Sequence, residues 1–138
     1  MYVLDTNVVS ELRRPKPHGA VQAWFDAAPA EALYISAVTL GEIQLGIERI
    51  RPLDAAKAAT LARWADRLAE TMHILPADAA VFRAWAILRH GRPDHHLEDA
   101  LIAATAKVDN FIVVTRNVKD FEPFGVSVLD PFKAHLRP

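Results

Sequence analysis

Four acids far apart in the chain, Asp5, Glu42, Asp99 and Asp120, are the residues best suited to chemistry. Carboxylates gathered within a few ångströms raise one another's pKa and call for a counter-charge. A divalent cation is the usual remedy, and hard oxygen donors select Mg2+ or Mn2+ over zinc. The chain contains no cysteine, which excludes thiolate metal sites and disulfides. A hard cation on a carboxylate ring points to phosphate chemistry, where it activates water and neutralises charge developing on the phosphate and the leaving oxygen. In that scheme Asp5, Asp99 and Asp120 hold the metal, and Glu42 binds a second ion or orients the attacking water. Thr6, Thr115 and Asn117 stand next to these acids as groups that orient a carboxylate or touch phosphate. Ser10 is a weaker candidate, since it suits a solvent-facing helix position.

Each acid alone also has an ordinary explanation. Asp5, followed by Thr6 and Asn7, suits a helix N-cap. Glu42 completes Thr39-x-x-Glu42, which has the pattern of a capping box. Asp99 is favourable in the first turn of a helix on dipole grounds, and Asp120 follows Asn117 in ordinary turn chemistry. Two local features favour the functional reading. Gly46 lies one turn beyond Glu42, with Gly41 beside it, and a glycine inside a helix often marks close approach by another group. Ala103, one turn beyond Asp99, leaves a shallow face next to that acid.

Positioning such acids requires a scaffold that brings distant segments to one edge. Short apolar runs at Tyr2 to Leu4, Leu33 to Ile35, His73 to Leu75, Phe111 to Val114 and Val126 to Leu129 read as strands. Between them lie helical patterns from Asp5 to about Leu12, Val21 to Ala27, Val38 to Ile50, Ala55 to Thr71, Asp78 to Arg89 and Leu97 to Lys107, with a helical turn at Val118 to Phe121. Gly91 to Asp94 reads as a turn. Ile43, Ile47 and Ile50 form one apolar stripe, and Leu61, Trp64, Leu68 and Met72 another. Val81, Phe82, Trp85 and Leu88 are expected in the core, as is the stripe Leu97, Leu101, Ala104 and Val108. Apolar strands separated by helices predict a mainly parallel sheet covered on both faces, an α/β sandwich. In such sheets ligands bind beyond the carboxyl ends of the strands. Asp5 directly follows the first strand, Glu42 lies in the first turns of the helix after the second, and Asp120 in the turn after the fourth. Asp99 stands at the start of the alanine-rich helix, so the four can converge on one edge.

At 138 residues the chain fits a single domain spanning residues 1–138. No stretch approaches the apolar length of a membrane span, and the N-terminus lacks the pattern of a secretory signal. A soluble, cytoplasmic protein is expected. Sixteen basic residues face seventeen acidic ones, a net charge of −1, so the chain as a whole lacks the basic excess of a protein that binds nucleic acid by charge alone. A polyanionic substrate would rely on metal ions and on local groups, for which Arg13, Arg14, Lys16, Arg89, Arg92, His95 and His96 are candidates. The adjacent pair His95 and His96 sits beside a turn, and an exposed or capping role suits it better than metal ligation.

The segments around the acids carry a resemblance. Tyr2-Val3-Leu4-Asp5-Thr6-Asn7-Val8-Val9-Ser10-Glu11-Leu12 resembles the opening of PIN-domain proteins. Ser36-Ala37-Val38-Thr39-Leu40-Gly41-Glu42 resembles their second acidic motif, Glu98-Asp99-Ala100-Leu101-Ile102-Ala103-Ala104-Thr105-Ala106 the third, and Thr115-Arg116-Asn117-Val118-Lys119-Asp120-Phe121 the fourth. Val128-Leu129-Asp130-Pro131-Phe132 resembles the family's ending. The likeness is to the VapC and FitB-like toxins of type II toxin–antitoxin pairs. It implies a PIN-like α/β/α sandwich with a roughly five-stranded, mainly parallel sheet, Mg2+- or Mn2+-dependent cleavage of RNA, a cognate antitoxin and a homodimer. One departure precedes Asp99: the family often has proline or an apolar residue there, whereas this chain reads Asp94-His95-His96-Leu97-Glu98. Glu98 thereby competes with Asp99 as the ligand. The stripe Leu97, Leu101, Ala104 and Val108, read as facing the core, turns Glu98 away from the shallow face at Ala103, so Asp99 is the ligand expected. Two other functions fit the residues, a structure-specific DNA nuclease using the same chemistry and a non-catalytic antitoxin-binding module that modulates DNA binding. For the module, the helices bearing Trp24, Phe25, Trp64 and Trp85 offer apolar surface for a dimer or a partner helix. The hydrophobic core is the better account of Trp85, and both accounts stay open for Trp24 and Trp64.

Overall fold

The computed structural model describes residues 1–92 and 97–133, so Pro93, Asp94, His95 and His96 lie outside it. In chain order the elements are β1 (Tyr2–Leu4), α1 (Thr6–Arg13), α2 (Gly19–Ala27), β2 (Leu33–Ser36), α3 (Ala37–Ile50), α4 (Ala55–Thr71), β3 (His73–Leu75), α5 (Ala79–Arg89), α6 (Leu97–Asp109), β4 (Ile112–Val114), α7 (Val118–Phe121) and β5 (Val128–Leu129). Short 3-10 turns occupy Ala30–Ala32 and Glu122–Phe124. The helices begin where side chains satisfy orphan backbone donors. Ser36 accepts from Val38 N, Asp54 from Lys57 N and Asp78 from Val81 N. No helix of the described residues is long and apolar enough to cross a membrane.

The strands form one parallel sheet in the order β3-β2-β1-β4-β5. Tyr2 pairs with Leu33 on one side and with Ile112 on the other. Successive strand residues point to opposite faces, and the core divides accordingly. Leu4, Ile35 and Val114 join Val8, Val21, Ile43 and Ile47 under α1 to α4. Val3 and Val113 join Ala100, Ile102, Ala103 and Phe121 under α6 and α7. Both faces are covered, which explains why the inner strands β1 and β4 are apolar on both faces.

Three expectations are corrected. Phe82 is 47% exposed, because Trp85 and Leu88 pack against the core while Phe82 lies at the helix surface with its ring edge-on to Trp85 at 6.0 Å. Leu97 and Val108 are 39% and 43% exposed. The buried side of α6 runs instead through Ala100, Ile102, Ala103, Ala104, Thr105 and Ala106, whose small side chains allow close packing on the sheet. The glycines in α3 mark no close approach: a Cβ built at Gly41 or Gly46 meets nothing within 4 Å.

Candidate active site

The strand order reverses between β1 and β4, neighbours in space although 110 residues separate Asp5 from Thr115. At such a switch point the connections leave in opposite directions and open a crevice at the carboxyl edge. Asp5 sits at the end of β1 with its N–H donating to Val114 O at 2.9 Å. Its carboxylate accepts from three donors. Thr6 N–H reaches Oδ1 at 2.8 Å, while Thr115 Oγ1 at 2.8 Å and Asn7 Nδ2 at 3.0 Å reach Oδ2. Asn7 also donates to Thr115 Oγ1 at 3.2 Å and accepts from Arg116 N–H at 3.2 Å, tying the loops after β1 and β4 together. Asp5 is therefore an N-cap and a fixed, 4% exposed carboxylate at once. Burial nevertheless pushes its pKa up despite those hydrogen bonds, and Asp120 acts in the same direction.

Glu42 lies in α3, whose N-cap is Ser36, so the capping-box explanation does not hold. Its Oε1 accepts from Thr6 Oγ1 at 2.9 Å, and that hydroxyl also lies 3.3 Å from the buried Thr39 Oγ1. Burial raises Glu42 from its ordinary 4.5 to about 7; the Thr6 hydroxyl opposes this, and the charges of Asp5, Glu98 and Asp99 add to it. Thr6 thus connects two acids, through its backbone to Asp5 and through its hydroxyl to Glu42.

Asp99 lies half-buried in the first turn of α6, next to exposed Glu98. Both act on Glu42, with Glu98 the larger of the two. Asp120 lies half-buried in α7 and acts on Asp5. The four acids share one electrostatic neighbourhood. Even so, among the described residues no three acids or histidines stand close enough to hold a metal ion unaided.

Among the neighbours, Thr6 and Thr115 join the network through their side chains. Asn117 joins through its backbone, its N–H donating to Thr115 Oγ1 at 3.0 Å and its carbonyl accepting from Asp120 N–H at 3.0 Å. Asn7 and Thr39 are participants that the sequence reading left out. Asn7, two residues after Asp5, reads first as a cap residue, and its bridging role depends on β4 lying alongside. Ser10 is exposed, yet with Thr6, Glu42, Gly46, Arg13 and Trp64 it lines a groove of about 220 Å³. Gly46 is therefore open groove wall. An apolar pocket of about 250 Å³ lies between α1, α2 and α4, lined by Val9, Leu12, Phe25, Trp64, Leu68 and Met72. Trp64 is half-buried against the core with the Arg13 guanidinium 5.6 Å from its ring, and Trp24 packs edge-on against Tyr2. Trp85 is half-buried in the other layer.

Of the proposed phosphate-binding groups, Arg14 pairs with Glu11, Arg89 stacks on Trp85, and Arg92 is spent on the carbonyls of Leu88 and Pro123. His95 and His96 lie outside the described residues.

A five-stranded parallel sheet between two helical layers, with acids gathered where β1 and β4 part, defines a PIN-like α/β/α sandwich. The PIN domain family model matches residues 2–123, and the chain belongs to that family. It is 35% identical to a VapC ribonuclease of Sinorhizobium fredii, covering 96% of this chain and 99% of the relative. It is 36% identical to Toxin FitB of Neisseria gonorrhoeae, again covering 96% and 99%. The solved structure of FitAB bound to an IR36 DNA fragment superposes with a TM-score of 0.83 at 35% identity, covering 96% of each chain.

Proposed function

We propose that this protein is the ribonuclease toxin of a toxin–antitoxin pair, hydrolysing RNA phosphodiester bonds with Mg2+ or Mn2+ held by Asp5, Asp99 and Asp120. The observation that carries the reading is the electrostatics of Asp5 and Glu42. Both carboxyls are raised by burial, and the neighbouring charges acting on them are negative. An all-oxygen, acidic donor set of this kind fits a hard divalent cation. Among the described residues no three acids form a ready-made cation cage, which suits a site completed by water and substrate oxygens, as Mg2+ sites usually are. When bound, the ion would lower the pKa of water and offset charge on the phosphate.

The chain's own groups divide the remaining work. Thr6 N–H, Asn7 and Thr115 hold Asp5 in one orientation, so little reorganisation accompanies binding. Glu42, which burial makes a more basic carboxylate than usual, would orient the attacking water or take its proton. Thr6 keeps Glu42 turned toward Asp5.

RNA as the substrate is supported by relatives that bear the name ribonuclease. An antitoxin partner is supported by the FitAB structures. The apolar pocket between α1, α2 and α4 adjoins the site and suits a partner helix, and a homodimer acting in the cytoplasm completes the proposal. Purified protein, freed of any co-purifying partner, is expected to cleave single-stranded RNA or transfer RNA in Mg2+ and to stop in EDTA. Preferential cleavage of DNA would favour the structure-specific DNA nuclease. No cleavage of either polymer would leave the antitoxin-binding module.

A further inference from the structure

On the β5 side of the acid cluster, a cleft of about 600 Å³ opens along the loop after β4, α7 and the segment after β5. Asp120 lines it, so the cleft starts at the acid cluster itself. Three exposed cations, Arg116, Lys119 and Lys133, also line it. None of them was among the basic groups singled out from the sequence, because only the fold brings Lys133 beside the loop after β4.

We infer that this cleft is a subsite for the backbone of single-stranded RNA flanking the cleaved bond, with Arg116, Lys119 and Lys133 as its phosphate contacts. The identity of the ligand rests on the ribonuclease reading above. The volume lies within the roughly 300–1,000 Å³ of ordinary ligand sites. Arg116 is the anchor. Its N–H is fixed to Asn7 Oδ1, and its guanidinium lies 4.5 Å from the ring centre of Phe132. Phe132 is itself 9% exposed and packs edge-on against His18 at 5.1 Å. An arginine held in this way forfeits less freedom on taking a phosphate than a loose lysine does. Through Asn7 the same residue is linked to Asp5, so a phosphate on Arg116 is placed relative to the reacting one.

The cleft also carries Glu122 and Asp130. Asp130 Oδ1 accepts from Phe132 N–H at 2.9 Å and so braces the ring beneath Arg116. Among the described residues no three acids converge on a metal ion, which argues against a second cation site here. Carboxylates at the wall can accept from base amino groups, a contact that complements cations on phosphate.

The test is fluorescence anisotropy of a labelled, mixed-sequence single-stranded RNA in EDTA, with salt titrated. For the variant Arg116→Gln/Lys119→Gln/Lys133→Gln, affinity should fall about tenfold or more. The slope of log affinity against log salt should become shallower by about 2, at roughly 0.7 per lost phosphate contact on a single strand. Lys119→Gln alone should change the slope by about 0.7. The control Arg63→Gln/Arg67→Gln/Arg83→Gln, on exposed positions of α4 and α5, should keep the wild-type slope. Wild-type affinity and slope in the cleft variants, or an equal loss in the control, would overturn the subsite. RNA binding that depends on the cleft, without cleavage in Mg2+, would uphold the subsite while overturning the ribonuclease reading.

Discussion

Glu42→Gln isolates the electrostatic argument in one atom. Below pH 4.5 the Glu42 carboxyl is protonated in both folded and unfolded chains and imposes no penalty. Between 4.5 and about 7 the unfolded chain ionises first while the folded protein retains the proton. Stability is therefore present at low pH and lost as pH rises through the folded value. The full displacement corresponds to a ceiling of roughly 3 kcal/mol, at about 1.4 kcal/mol per tenfold change in proton affinity. Glu42 is only partly buried, and solvent screens it, so about 1–2 kcal/mol is the realistic share. Glutamine keeps an acceptor for Thr6 Oγ1 and removes the charge. In EDTA at pH 8 the variant should be more stable than wild type by that amount, a rise in Tm of about 3–8 °C for a chain of this size. At pH 4.5 the two should coincide. Added Mg2+ should narrow the gap at pH 8, since an ion at ten times its Kd stabilises the folded wild type by about 1.4 kcal/mol. Urea titrations at both pH values, with and without Mg2+, measure this. A stability difference that does not change with pH, or a less stable variant at pH 8, would refute the reasoning.

The other expectations concern the groups around Glu42. Asp5→Asn should abolish RNA cleavage and the Mg2+-induced rise in Tm. It places an amide N–H against one of three donors, at a cost of about 1–3 kcal/mol, but removes a buried charge, so EDTA stability should change by no more than about 2 kcal/mol; wild-type cleavage would sink the mechanism. Thr115→Val removes the donor to Asp5 and the acceptor for Asn7 and Asn117. It should destabilise by about 1–3 kcal/mol in denaturant titrations. Gly46→Ala should stabilise by about 1 kcal/mol, because a Cβ there meets open space; a loss of stability would show that the groove wall is tighter than described.

Much was legible because it is local. The periodic stripes of α3 and α4 mark the faces that pack on the core, and the β-branched run ending at Val114 reads directly as a buried strand. The positions of Asp5, Glu42 and Asp120 after strand ends, and of Asp99 in the first turn of a helix, follow from the same pattern. What failed was also physical. The stripe Leu97, Leu101, Ala104 and Val108 obeys helical spacing, yet α6 buries its alanine side, because a small-residue face permits the closest approach to the sheet. Phe82 looked like core by type, but the stripe that actually packs excludes it. Gly46 suggested a tight contact and instead borders open groove.

The sequence by itself determined the kinds of chemistry available: an all-oxygen acidic donor set, no thiols, and a parallel sheet with its acids at one edge. Those follow from composition and from periodicities of two and 3.6 residues. Only the tertiary structure decided how the acids differ. Asp5 is buried and triply bonded because β4 lies against β1 and supplies Thr115 and, through Val114, the loop that Asn7 grips. Glu42 rises to about 7 because the fold brings Thr6, Asp5, Glu98 and Asp99 around it. Desolvation and the field of distant charges are sums over space, and residues far apart in the chain enter those sums only once the sheet has set their distances.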